Sequence, residues 1–124
     1  MKSETRAWLK RAAEDLQAAE ALFQLDLFAQ EIYYCQQTAE TLLKAFWVEQ
    51  SPAGVPPRTH DLVYLAKNLS VAVLPERLEF LQKLAAQYIP TRYPETEDIF
   101  DQDDGQFYLT GIQEFVAWLR PQIN

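Results

Sequence analysis

Several residue types that build common functional sites are scarce in this chain of 124 residues, which contains one cysteine, one histidine and three glycines. A single cysteine excludes an internal disulfide, and one histidine with one cysteine is too few for a zinc site of the usual ligands. The motifs GxGxxG, GxxxxGK and GxSxG are all missing, so glycine-lined phosphate loops and a nucleophile elbow are not indicated. We therefore expect neither a metal nor a cofactor.

Long apolar runs and an excess of positive charge are also lacking. No run approaches the roughly 20 apolar residues that span a bilayer, and charges interrupt the amino-terminal stretch where a signal peptide would be apolar. We expect a cytoplasmic protein. The formal net charge of −7 excludes a broad basic surface that coats nucleic acid, but it does not exclude a local basic site.

Helical periodicity dominates what the sequence does contain. In the stretch 28–49, apolar residues recur at spacings of 4, 3, 4, 3 and 4, which predicts a helix with one buried face. These residues are Phe28, Ile32, Cys35, Ala39, Leu42 and Phe46. We expect this helix to be central, with Cys35 as a small buried core residue, the alternative being a reactive thiol.

The same periodicity predicts further helices on both sides. The first runs from Ser3, its N-cap, to about Leu25, and forms an antiparallel hairpin with the central helix because the link is short. Prolines and a glycine at 50–57 end the central helix, and later helices start after Thr59, which would act as N-cap, at Pro75, and beyond about Asp104. With 48% hydrophobic residues and no strand-like alternation, we predict a single all-α domain over 1–124. Its fold would be an up-and-down four-helix bundle with an additional short helix, about five helices in all.

Three tracts resemble a known family. The run from Tyr34 to Ala45, YCQQTAETLLKA, is similar to the second-helix motif of HEPN (higher eukaryotes and prokaryotes nucleotide-binding) domains. The tracts Thr59–Leu62 and Tyr88–Pro94 match the family in the same order. Together they cover nearly the whole chain, so the resemblance implies a HEPN-like helical fold and a site that binds nucleotide or RNA.

His60 is the only histidine, and so it is the obvious candidate for acid–base chemistry near neutral pH. Many HEPN ribonucleases carry an arginine four to six residues before such a histidine, whereas here Arg58 precedes His60 by two. The tyrosine-bearing variant of that motif is missing as well, since Tyr64 does not match it. We therefore predict no nuclease activity. The alternatives are a structural side chain at a helix start and a metal-independent ribonuclease that uses His60 with an arginine from elsewhere.

Arg92 and Tyr93 form the second candidate site. The planar guanidinium suits phosphate and an adjacent aromatic ring can stack on a base, so this tip could hold a nucleotide or an RNA end. The alternative is that Arg92 pairs with the acids that follow and Tyr93 fills the end of the bundle. If the third and fourth helices form an antiparallel hairpin, Arg58, His60, Arg92 and Tyr93 would make one composite binding site.

Between positions 90 and 104 we predict a solvated loop, since six of the ten residues from 95 to 104 are acidic. Weak binding of Mg²⁺ or Ca²⁺ there is the alternative.

Aromatic residues exceed what one small core requires, which favours a homodimer interface. In the last helix, Phe107, Gly111 and Trp118 lie off the main apolar stripe, and the central helix has a similar surplus in Tyr33, Tyr34 and Trp47. The resemblance also implies a partner protein, a minimal nucleotidyltransferase, in a two-component module like a toxin–antitoxin pair. The remaining alternative is a dimeric scaffold with no ligand.

Overall fold

The computed structural model describes residues 1–95 and 99–123, which form six α-helices and one 3-10 helix. The long helices are α1 (Ser3–Gln24), α2 (Phe28–Gln50), α4 (Pro75–Ala85) and α6 (Gln102–Leu119), and the short ones are α3 (Leu62–Lys67) and α5 (Tyr88–Arg92). The 3-10 helix, Arg120–Gln122, follows α6 directly. The predicted all-α class is confirmed. Within the described ranges, no helix is both long and apolar enough to cross a membrane.

The central position predicted for α2 is confirmed, because α2 packs against each of the other five α-helices. Its apolar stripe is buried from Ile32 to Phe46, and Cys35 is fully buried within it. The predicted stripe of α6 is buried as well, at Tyr108, Ile112, Phe115 and Leu119. The hydrophobic effect of closing these stripes around α2 therefore holds the bundle together.

The link between α1 and α2 is as short as predicted. Asp26 adopts a positive φ of 59°, a left-handed conformation that aspartate tolerates better than most residues. Lys2 closes the open end of this hairpin, since its Nζ donates to the backbone oxygens of Val48 and Ser51. The Thr5 hydroxyl donates to Glu49 Oε1 at 2.7 Å beside it.

Two predicted helix starts differ slightly from the structure. The N-cap of α1 is Lys2 instead of Ser3, whose hydroxyl donates to Glu4. The N-cap of α3 is Asp61, whose carboxylate accepts from the Tyr64 N–H, while the Thr59 hydroxyl accepts from the Asp61 N–H. A carboxylate makes the better cap here because it also carries the negative charge that a helix start favours.

The loop predicted over 90–104 was too long at both ends. Pro90 lies in the first turn of α5, where the missing N–H costs no intrahelical hydrogen bond. At the other end, Asp101 and Asp104 form a capping box that starts α6 at Gln102. Asp101 and Asp104, which contributed to the prediction of a loop, thus cap a helix. Two other acids of the predicted loop, Glu97 and Asp98, lie outside the described residues.

Candidate functional site

The two predicted site loops meet at the ring of Tyr88, the first residue of α5. The imidazole of His60 lies 5.4 Å from the Tyr88 ring, measured between centroids. The Arg92 guanidinium carbon lies over the same ring at 3.7 Å from its centroid. The structure therefore brings His60 and Arg92 together at Tyr88, beside the middle of α2, as the composite site requires.

Arg92 is held over this ring by the paired glutamines of α2. Its Nη1 donates to Gln36 Oε1 at 2.6 Å and to the Tyr88 backbone oxygen at 3.1 Å, and Nη2 donates to Gln37 Oε1 at 3.3 Å. The guanidinium carbon also lies 4.5 Å from the Tyr33 ring centroid. A guanidinium held between two aromatic rings and two amides loses little rotamer freedom when it binds an anion.

His60 is positioned by a buried carboxylate. Its Nδ1 lies 2.9 Å from Glu40 Oε1, and the other oxygen of Glu40 accepts from Lys44 Nζ at 3.0 Å. The carboxylate oxygen accepts the Nδ1 hydrogen, and Nε2 has no hydrogen-bond partner among the described residues. The His60 side chain is 62% exposed, so that nitrogen is open to a ligand or to solvent.

Comparison with known proteins identifies the fold and the family. The HEPN domain profile matches residues 5–122. The chain belongs to the HEPN domain family. None of the curated proteins matches it.

Two solved structures share this HEPN fold over nearly their whole length. The crystal structure of TT1696 from Thermus thermophilus is 25% identical, with a TM-score of 0.85 over 97% of this chain and 98% of that one. The crystal structure of ST0689, an archaeal HEPN homologue, is 24% identical, with a TM-score of 0.77 over 100% of both chains.

The four residues named from the sequence occupy different positions in this HEPN domain. Arg58 is exposed and makes no hydrogen bond or ion pair with a described residue. Tyr93 directly follows α5 and is 47% exposed, so it does not fill the end of the bundle. Among the described residues, the hydrogen-bond partner of His60 is the side-chain carboxylate of Glu40 and not the loop backbone. The assignment of these four residues to ligand binding remains a prediction.

The sequence analysis did not single out the α2 residues that hold the site, which are Gln36, Glu40 and Lys44. All three are buried, with exposed fractions of 4%, 8% and 7%. Polar side chains repeated every four residues on a helix predicted to be central would have to face partners inside the protein. That pattern was the available indication. This pattern indicates a binding site only when it is combined with the positions of His60 and Arg92.

Other candidate features lie away from this cluster. A groove of about 630 Å³ between α4 and α6 is lined by Arg77, Phe80 and Phe107 among others, and contains none of the predicted site residues. No group of three or more His, Cys, Asp or Glu within residues 1–95 and 99–123 could hold a metal ion.

Much of the aromatic excess is covered within the chain. Tyr33 lies beside Arg92, Trp47 stacks on Tyr64 with centroids 6.0 Å apart, and Trp118 lies beside Arg77. Gly111 faces Phe80, while Phe107 remains 48% exposed. The excess therefore gives less support for a dimer interface than the sequence alone suggested.

Proposed function

We propose that this HEPN protein binds a nucleotide or an RNA end at the surface formed by Arg58, His60, Arg92 and Tyr93, without nuclease activity of its own. The observation that carries the proposal is the convergence of His60 and Arg92 on Tyr88. The cluster supplies a fixed guanidinium for a phosphate, and Tyr93 adds a partly exposed ring for a base. In a protein of net charge −7, such a localised cation is a specific feature and not part of a general basic surface.

Direct binding measurements test this proposal. We expect fluorescently labelled ATP, GTP or a short single-stranded RNA to bind the wild type, and Arg92→Lys to weaken binding at least tenfold. Lysine keeps the charge but loses the planar fork that carboxylates and phosphates match. Arg6→Lys, at an exposed arginine on α1, is the matched control and should leave binding unchanged. Equal binding by wild type and Arg92→Lys, with both proteins folded by circular dichroism, contradicts the proposal.

We further propose that the protein acts as a homodimer and as the partner subunit of a minimal nucleotidyltransferase. Support comes from the family resemblance and from the part of the aromatic excess that stays exposed, such as Phe107. Light scattering should give twice the 14.4 kDa monomer mass, and a clean monomer mass removes the dimer. Co-expression with a nucleotidyltransferase encoded next to this chain's gene should yield a stable complex, and two separately eluting proteins would remove that partner.

A second candidate is a metal-independent ribonuclease, and the hydrogen bond between His60 and Glu40 specifically favours it. A carboxylate that holds Nδ1–H leaves Nε2 as a base, which could take the proton of an RNA 2′-hydroxyl while Arg92 stabilises the phosphate. Arg92 would be the arginine supplied from elsewhere in the fold. Cleavage of RNA in the presence of EDTA, abolished by His60→Ala and reduced by Glu40→Gln, would establish this function, and absence of cleavage removes it.

A further inference from the structure

A groove between α1 and α2 adjoins the Arg92 cluster. Its volume is about 400 Å³, and its lining includes Arg11, Asp15, Tyr33, Tyr34, Gln37 and Thr41. Pockets that take nucleotide-sized ligands have volumes of about 300–1,000 Å³. Two of the lining residues, Tyr33 and Gln37, are also direct contacts of the Arg92 guanidinium. The groove is therefore a continuation of the proposed nucleotide site along α2.

Asp15 is a buried carboxyl in this groove, and no hydrogen-bond donor is directed mainly at it. It is 8% exposed, and its only side-chain donor among the described residues is the Thr41 hydroxyl, at 3.3 Å. That hydroxyl has a single proton, and it lies closer to the Gln37 backbone oxygen, at 2.7 Å. Burial raises the pKa of Asp15, because the Thr41 hydrogen bond and the nearby Arg11 charge offset only part of the cost of burying an ionised carboxylate. A carboxylate with so few donors can accept N–H groups from a ligand in the groove.

Gln37 supplies the complementary group. Its Oε1 accepts from Arg92, which fixes the orientation of the amide and leaves the Nε2 hydrogens with no acceptor among the described residues. The rings of Tyr33 and Tyr34 pack edge to face with centroids 5.1 Å apart. The groove thus presents an anionic acceptor, an amide donor and aromatic rings.

We propose that this groove binds the base of the nucleotide held at Arg92, and that the base is guanine. Guanine carries two adjacent N–H donors, at N1 and at the exocyclic amine, which a carboxylate can accept together, beside an O6 that accepts from an amide. Adenine has no N–H at N1, and the aromatic rings can stack on either purine but do not distinguish them. The inference rests on the proposed function, to which it adds base identity and the residues that read it.

The test compares three nucleotides that differ only in this edge of the base. In titrations of the wild type, we expect GMP to bind about tenfold more tightly than IMP, which lacks the exocyclic amine, and more tightly still than AMP, because the lost hydrogen bond is charge-assisted. Asp15→Asn should reduce the ratio of the GMP and IMP affinities to about one. Asp103→Asn, an exposed carboxyl on α6 that does not line this groove, should leave the ratio unchanged.

The outcomes separate this inference from the function on which it rests. Equal binding of GMP, IMP and AMP that still depends on Arg92 overturns the guanine assignment and leaves nucleotide binding intact. A GMP preference that survives Asp15→Asn overturns the role of Asp15. Failure of GMP, IMP and AMP to bind overturns the guanine assignment, and failure of the short RNA to bind as well overturns the proposed function.

Discussion

At the scale of single residues, the most unusual group is Glu31, which is fully buried in α2. Its Oε2 accepts from the Cys35 thiol at 3.3 Å, and its Oε1 has no partner among the described residues. Burial raises the pKa of Glu31 to about 7 from the ordinary 4.5. The Cys35 thiol has its own pKa raised by burial and by Glu31, so it is an inert core residue, as predicted.

Glu31 should make the free energy of unfolding depend on pH. The unfolded chain ionises Glu31 near pH 4.5 and the folded protein only near pH 7, so ionisation favours unfolding progressively across that interval. The resulting loss in the free energy of unfolding is absent below pH 4.5 and complete above pH 7, where it amounts to about 2–4 kcal/mol. The stability of Glu31→Gln relative to wild type should therefore rise by this amount between pH 4.5 and pH 8 in urea denaturation. A difference that does not change with pH, or that also appears in exposed Glu114→Gln, contradicts the prediction.

At the scale of helices, the contact between α4 and α6 depends on a missing side chain. A Cβ added at Gly111 would lie 2.1–2.7 Å from three ring atoms of Phe80, which is closer than real Cβ atoms approach. Glycine in the middle of a helix normally costs about 1 kcal/mol relative to alanine. The close approach of Phe80 to α6 accounts for its presence here.

Gly111→Ala should consequently lower the stability of the protein when residue 80 is phenylalanine and raise it when residue 80 is alanine. In the wild-type background the clash, about 1–3 kcal/mol, exceeds the gain in helix propensity, so the variant should be less stable. In the Phe80→Ala background the clash is gone, and the same substitution should stabilise by up to about 1 kcal/mol. A double-mutant cycle of thermal melts measures this coupling, and additive effects would show that Phe80 moves aside freely.

The helices with strong periodicity were predictable from the sequence, and their connections were less so. α2 and α6 have apolar residues at 3 and 4 spacing that only a helix can bury on one face, and both stripes are buried. α5 was missed because Pro90 is a helix breaker in the interior but not in a first turn. His60 and Arg92 could be named singly, but the roles of Glu40, Gln36 and Tyr88, which hold them, depend on how α2, α5 and the segment before α3 meet. The periodicity of one helix carries no information on how that helix contacts its neighbours.

At the scale of the whole molecule, the acidic surface limits how nucleic acid can bind. The net charge is −7, and Arg58 and Arg92 are the cations among the four residues proposed to bind nucleotide or RNA. Each phosphate neutralised on a single strand contributes about −0.7 to the slope of log K against log salt. Binding should therefore depend on local geometry more than on general attraction.

We accordingly expect a shallow salt dependence for a short single-stranded RNA. A slope of about −1 to −2 corresponds to two phosphate contacts, and Arg58→Ala should make it shallower by about 0.7 while the protein stays folded. Titrations at several salt concentrations, with binding followed by fluorescence anisotropy, provide the measurement. A slope steeper than about −4 would require more phosphate contacts than Arg58 and Arg92 can make.

The dual use of α2 restricts how this protein can vary. Ile32, Cys35 and Leu42 face the core, while Gln36, Gln37 and Glu40, interleaved with them, hold the arginine and the histidine. One inserted residue would turn everything beyond it by about 100° around the helix axis. Such an insertion would displace the interior and the ligand surface at once. Indels should consequently be tolerated in the connections and not in α2, where change must proceed by exchange of one side chain for another.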